Sequence, residues 1–253
     1  KTYGRVGFFE KGRLVKAAQD VELILRRGET LGVVGESGSG KSTVARCMVR
    51  LIDPTGGDIN VAGTNIAQMA ESELRAYRQK IQIVFQDPYR SLNPRRTVGQ
   101  SIVEGPMNFG LSGTEAQSRA ENLMRIVGLA PEALTRFPHQ FSGGQRQRIC
   151  IARALAMEPR VLIADEAVSA LDVSVQAQVL RLLQDVRERY DLAMLFITHD
   201  LRVAAQICDR IMVMQRGVVV EEGRTSEVYA NPQHPYTRSL LNAAPGRETN
   251  FAR

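Results

Sequence analysis

Residues 30–43 read Thr30-Leu31-Gly32-Val33-Val34-Gly35-Glu36-Ser37-Gly38-Ser39-Gly40-Lys41-Ser42-Thr43, and their order decides the fold. The run Thr30–Val34 leads straight into glycine, as a buried strand of a parallel sheet does. The next apolar residues, Val44, Ala45, Met48, Val49, Leu51 and Ile52, recur at helical spacing, which predicts a helix running to Asp53-Pro54. A strand, a glycine loop and a helix in that order set backbone N–H groups over a helix N-terminus, where the dipole favours an anion. Gly35-x-x-x-x-Gly40-Lys41-Ser42 also has the spacing in which a lysine reaches β/γ-phosphate oxygens and a serine hydroxyl meets Mg²⁺.

Outward from this loop, Val21–Leu25 reads as a β-rich run and Arg26-Arg27-Gly28-Glu29 as a turn. A more helical region spans 88–158, with Ala116, Ala120, Leu123, Met124 and Val127 on one apolar face and a loop from Phe137 to Phe141. Alternation then resumes: Val161–Ala164 is a buried strand, Val173–Arg189 a helix and Leu192–Thr198 another strand. The expected fold class is α/β, a P-loop NTPase core with a mainly parallel sheet, an N-terminal antiparallel β region and an inserted α-helical subdomain. The expected organisation is a discontinuous core of residues 1–87 and 159–230 and a helical subdomain of 88–158. Residues 231–253, rich in Pro, Asn and Arg, are expected as an extension outside the core.

Composition narrows the classes. The chain has 253 residues, 43% hydrophobic and 24% charged, with 33 Lys+Arg against 27 Asp+Glu and a net charge of +6. The basic residues are scattered singly among acids, and Arg26-Arg27 and Arg95-Arg96 are too short for a nucleic-acid tail, so nucleic acid is not an expected partner. Cys47, Cys150 and Cys208 lie far apart and read as small buried hydrophobes in a reducing compartment. The longest apolar runs, such as Ala193–Ile197, fall far short of the roughly twenty residues of a spanning helix. A chain opening on Lys1 is expected to be a processed or excised segment.

Two further stretches carry chemistry. Asp165 and Glu166 follow the strand Val161–Ala164, which offers one carboxylate to hold Mg²⁺ through water and the next to orient or deprotonate an attacking water beside a γ-phosphate. Phe141-Ser142-Gly143-Gly144-Gln145 precedes a helix: Ser142 is its expected cap, and the glycines leave the first N–H groups open for a second anion.

With these motifs in order, the sequence resembles the nucleotide-binding domain of ABC ATPases over nearly its whole length. Residues 35–43 are similar to Walker A, Gln86 in Val84–Pro88 to the Q-loop, Phe141–Gln145 to the signature, with Phe141 for the commoner Leu, and Val161–Glu166 to Walker B. Ser169-Ala170-Leu171-Asp172 is similar to the D-loop and Thr198-His199-Asp200 to the switch histidine. The resemblance implies ATP and Mg²⁺ as cofactors and two domains facing head-to-tail around two ATP molecules. It implies that Gly35, Ser37, Gly38, Ser39, Gly40, Lys41, Ser42 and Thr43 of one domain and Ser142, Gly143, Gly144, Gln145 and Asp172 of the other hold nucleotide. Metal ligation then falls to Ser42, Gln86 and Asp165, with Glu166 as general base, His199 on the γ-phosphate and Gln86 sensing metal and water. The adenine ring is expected to stack on Phe9 or Phe8.

A narrower likeness is carried by Phe85-Gln86-Asp87-Pro88-Tyr89-Arg90-Ser91-Leu92-Asn93-Pro94 and Asn231-Pro232-Gln233-His234-Pro235-Tyr236-Thr237. Both resemble the ATP-binding subunits of dipeptide, oligopeptide, nickel and glutathione importers, and Ala164–Asp172 is most like the second half of fused glutathione-importer ATPases. This implies two membrane permease subunits, a periplasmic or extracellular solute-binding protein acting indirectly, and a peripheral place on the cytoplasmic face of the plasma membrane. The partner ATPase domain is left open between a homodimer, a heterodimer and a fused half. Nickel or opine-type solutes and soluble ABC ATPases acting on DNA or ribosomes are the alternatives. Residues 44–140 contain neither heptads nor metal-ligand pairs, which disfavours the DNA-repair relatives.

Overall fold

The computed structural model describes residues 1–3 and 14–243. In chain order its elements begin with strands β1 (Thr2–Tyr3), β2 (Val15–Lys16) and β3 (Thr30–Val34), helix α1 (Lys41–Met48), strands β4 (Asn60–Val61) and β5 (Thr64–Asn65), helix α2 (Glu71–Lys80) and strand β6 (Ile81–Phe85). Helices α3 (Pro88–Ser91), α4 (Val98–Asn108), α5 (Gly113–Ile126) and α6 (Gly143–Leu155) follow, with 3₁₀ turns at Pro131–Thr135 and Pro138–Gln140. The chain then continues through β7 (Val161–Asp165), α7 (Val173–Tyr190), β8 (Ala193–Thr198), α8 (Leu201–Ile207), β9 (Arg210–Gln215), β10 (Val218–Arg224), α9 (Thr225–Ala230) and α10 (Pro235–Ala243).

The chain divides into two compact units, residues 1–78 with 194–253 and residues 79–193. In the first, β8 and β9 flank β3 and run parallel to it, and β10 is antiparallel to β9. Leu31, Val34, Phe196, Ile197 and Ile211–Met214 are wholly buried, as expected where both faces of a parallel sheet are covered. The β1–β2 and β4–β5 pairs supply the antiparallel N-terminal region. In the second unit, β6 and β7 are parallel, and α4 to α6 surround a core that includes Ile102, Met124, Ile149, Ile151 and Leu183. Ala116, Ala120, Leu123, Met124 and Val127 are all buried, so the predicted apolar face is the packed one.

Local departures from the sequence reading have local causes. The α1 helix stops at Met48 rather than at Asp53, because Arg50 turns left-handed (φ 52°) and the Leu51 N–H bonds back to the Arg46 carbonyl at 2.9 Å. Residues 21–25 alternate in exposure but form no assigned strand, while the Arg26–Glu29 turn closes as expected with Glu29 N–H on Arg26 O at 3.2 Å. Cys150 and Cys208 are buried and Cys47 half-buried. Burial pushes the Cys150 thiol up to about 11, against a smaller opposing effect of Arg153.

Candidate functional site

Two backbone approaches fix the glycine loop of the first unit. Gly35 leaves β3 at φ 149°, and a Cβ there would lie 2.2 Å from the Met214 carbonyl oxygen; at Gly40, φ 107°, it would lie 2.1 Å from that of Ala17. Neither position accepts a side chain. Lys41 opens α1 with only 4% of its surface exposed, and its ammonium donates to Gly35 O and Glu36 O at 2.8 Å each and to Ser39 Oγ at 3.4 Å. Ser37 and Gly38 are exposed on the loop, Ser39 is buried, and Ser42 and Thr43 sit half-buried in the first helical turn.

The start of α1 differs from those of α4, α5 and α6. Thr97, Ser112 and Ser142 close full capping boxes on α4, α5 and α6, whereas α1 begins at Gly40 with no side-chain cap and no acidic residue in its first turn. An uncapped N-terminus beside a buried lysine fits a phosphate ligand.

Residues to which the sequence reading gave no part in this loop brace it. Gly217 donates its N–H to Ser39 O at 2.9 Å from the tip of the β9–β10 hairpin, where Arg216 and Gly217 both have positive φ (50° and 86°). Gln19 N–H in turn bonds Gly217 O at 2.7 Å. The Arg216-Gly217 pair between two β-rich runs is the signal that could have revealed the hairpin. The Tyr236 hydroxyl accepts the Glu36 N–H at 3.1 Å. Thr198 stands opposite Val34 in the β3–β8 pair, so His199, which is exposed, leaves the sheet at the edge where Gly35 opens the loop. Asp200 then caps α8 by accepting the Arg202 N–H at 2.8 Å, and the Arg202 guanidinium lies 2.9 Å from its carboxylate. Burial would raise the Asp200 carboxyl, but the hydrogen bonds and charge of Arg202 outweigh it and hold the group below its ordinary value.

In the second unit the corresponding edge belongs to β6 and β7. Phe85 is opposite Asp165, so Gln86 and Glu166 leave neighbouring strands together at their carboxyl ends, where open α/β sheets bind ligands. Asp165 is buried, and Glu166 takes a left-handed backbone, φ 50°. Gln86 Nε2 donates to Ser169 Oγ at 3.0 Å, and Ser169 Oγ and N–H both donate to Glu166 O, at 2.9 and 3.1 Å. Asp172 begins α7 without a side-chain cap bond.

Ser142 caps α6 as expected: its Oγ accepts the Gln145 N–H at 3.3 Å and its own N–H bonds Gln145 Oε1 at 2.9 Å. The two glycines have different reasons. A Cβ on Gly144 would lie 2.3 Å from Val175 Cγ1 on α7, whereas one on Gly143 meets nothing within 4 Å. Packing therefore demands glycine at 144, a constraint that openness to phosphate alone did not reveal. The buried Arg146 donates to Pro138 O at 2.7 Å and lies 3.8 Å from the Tyr89 ring centroid. Phe8 and Phe9 lie outside the described residues.

A glycine loop closing on an uncapped helix, with carboxylate and carboxamide residues at the strand ends, defines a P-loop protein. A family profile described as ABC transporter matches residues 18–169, and one described as oligopeptide/dipeptide transporter, C-terminal region, matches 220–250; the chain belongs to the ABC transporter family. It is 54% identical over 233 residues to a probable peptide ABC transporter ATP-binding protein of Sinorhizobium fredii, covering 92% of this chain and 66% of that protein. It is 52% identical over 242 residues to the glutathione import ATP-binding protein GsiA of Escherichia coli, covering 95% of this chain but only 39% of the relative. With a putative peptide import ATP-binding protein of Brucella ovis the identity is 49%, over 91% of this chain and 73% of that one. Among solved structures, a dimeric, post-hydrolysis ATP-binding cassette MJ0796 bound to ADP and Pi superposes with a TM-score of 0.78 at 31% identity, covering 89% of this chain and 95% of its own. Clostridium perfringens cbiO1, part of the complex cbiONQ, gives 0.79 at 29% identity, covering 91% and 88%. No helix among the described residues is long and apolar enough to cross a membrane.

Proposed function

We propose that this chain binds and hydrolyses Mg²⁺-ATP and drives an importer of peptide-type solutes. The observation that carries the reading is the uncapped start of α1 beneath a glycine loop that holds the Lys41 ammonium. Lys41 trades its carbonyl partners for β/γ-phosphate oxygens, and the first-turn N–H groups, including those of Ser42 and Thr43, cradle the remaining charge. Ser42, Gln86 and Asp165 offer hydroxyl, carboxamide and carboxylate oxygens, the donor type that Mg²⁺ takes. When bound, the ion neutralises phosphate charge. Glu166 accepts a proton from the attacking water, His199 donates to γ-phosphate oxygen, and Gln86 reports occupancy through its exchange of partners.

Each chain supplies one loop and one signature, so the reading needs a second ATPase domain whose Ser142, Gly143, Gly144, Gln145 and Asp172 complete the site. The dimeric form of the MJ0796 cassette supports this. The peptide and glutathione import names of the relatives, together with the His234-Pro235-Tyr236 segment, favour a peptide-class solute, two permease subunits docked against the 88–158 region, and a peripheral place on the cytoplasmic face of the membrane. A steady-state assay of Mg²⁺-dependent ATP hydrolysis, repeated with Lys41→Ala, tests the core of the proposal. Turnover that survives loss of Lys41, or none in the parent chain paired with its partner domain, overturns it.

A further inference from the structure

The His-Pro-Tyr segment is built as a helix start, and each of its residues has a separate task. Glu221 on β10 accepts the N–H groups of Gln233 and His234 at 2.7 and 3.0 Å, which pins the incoming chain to the sheet. The segment thus does not stand free of the core. Arg238 closes it from the other side, donating to Pro232 O at 2.9 Å and Gln233 O at 3.2 Å. His234 Nδ1 accepts the Tyr236 N–H at 3.2 Å and so acts as a cap, while Pro235 takes the first helical position, where a missing N–H costs nothing. Thr237 is wholly buried. With that frame fixed, the Tyr236 hydroxyl oxygen meets the Glu36 N–H across 200 residues of sequence at 3.1 Å.

Glu36 is held from both sides. Tyr236 takes its N–H and Lys41 takes its carbonyl, at 2.8 Å. We infer that Tyr236 is a positioning residue for nucleotide binding, through which the C-terminal segment orders the Glu36 peptide and with it the acceptors that park the Lys41 ammonium. This rests on the reading of the loop as the ATP site. With the peptide already ordered, less conformational freedom is lost when phosphate arrives, and that preorganisation raises affinity. Linkage is reciprocal, so nucleotide must steady α10 to the same degree that α10 steadies the loop.

The test uses the full chain and a fluorescent ATP analogue under non-hydrolysing conditions. Tyr236→Phe keeps the ring and removes the acceptor; loss of one such hydrogen bond corresponds to a dissociation constant raised about two- to tenfold, while a separate steady-state hydrolysis assay should show an unchanged kcat at saturation. Tyr229→Phe removes a hydroxyl that donates to the Leu201 carbonyl and not to a loop amide, and should lower thermal stability while leaving nucleotide affinity alone. In the parent chain, amide exchange of residues 237–243 should slow when Mg²⁺-ATP is added, and this coupling should vanish in Tyr236→Phe. Equal affinities for the parent and Tyr236→Phe, or exchange in α10 indifferent to nucleotide in the parent chain, overturns the inference and leaves the ATP reading standing. Absence of any nucleotide binding by the parent chain overturns both.

Discussion

Gln86 and Ser169 are joined side chain to side chain, carboxamide Nε2 to hydroxyl Oγ at 3.0 Å, and the same hydroxyl donates to the carbonyl of Glu166 at 2.9 Å. The sensor and the base proposed for the reaction thus share one small intermediary, with Glu166 held in a left-handed backbone conformation by the turn that Ser169 closes. Removing the hydroxyl deprives both of a partner but leaves the bonds that Lys41 makes to Gly35 and Glu36 in place. Ser169→Ala should therefore lower kcat about two- to tenfold, the worth of one net hydrogen bond, with nucleotide affinity unchanged. Single-turnover and equilibrium-binding measurements on the same preparation separate the two quantities.

Glu166→Gln should cost about 10²–10⁴ in turnover, the usual contribution of a general base, and preserve nucleotide binding. With its partner domain present, the variant should accumulate an ATP-bound closed dimer visible by light scattering. Undiminished hydrolysis would remove Glu166 from the mechanism.

The two signature glycines should respond oppositely to alanine. At Gly144 the new methyl would sit 2.3 Å from Val175 Cγ1 in a packed helix–helix contact, and overpacking of that kind costs about 1–3 kcal/mol. At Gly143 there is open space within 4 Å, and alanine is the better helix former, so the isolated chain should be no less stable. Urea unfolding of both variants would show the asymmetry; equal destabilisation would contradict the packing account.

Acid stability should depend on Asp200. Its carboxyl is held below the ordinary value because Arg202 outweighs the opposing effect of burial, so the folded state takes up that proton less readily than the unfolded chain. The contribution is complete above the unfolded value of about 3.9 and is lost as pH falls through the lower folded one. Asp200→Asn keeps an acceptor at the start of α8 but does not titrate. The urea midpoint of the parent chain should fall more steeply below about pH 4 than that of the variant.

The phosphate loop was legible because its meaning is local: strand, glycines, lysine and helix are contiguous, and their spacing follows directly from phosphate geometry. The edges formed by Val34 with Thr198 and by Phe85 with Asp165 were half legible, since the strands could be read but their pairing is a matter of topology. What escaped was long-range. Nothing around Gly217 or Tyr236 announces that they meet Ser39 and Glu36, and nothing at Arg50 shows that it turns left-handed to end α1 early. The packing constraint on Gly144 was invisible for the same reason, because a glycine required by a neighbouring helix looks the same in sequence as one required by a ligand.

The tip of the β9–β10 hairpin would ordinarily be the first place a protein engineer looked for an insertion site, since short exposed turns accept tags, reporter domains and new termini at little cost. Here the turn's own amide is bonded to Ser39 and its carbonyl to Gln19. Lengthening Arg216-Gly217 by even one residue would move a strut of the loop at Lys41. A tolerant graft belongs elsewhere on this chain, at the exposed Gly56-Gly57 bend for example, where added side-chain atoms meet nothing within 4 Å.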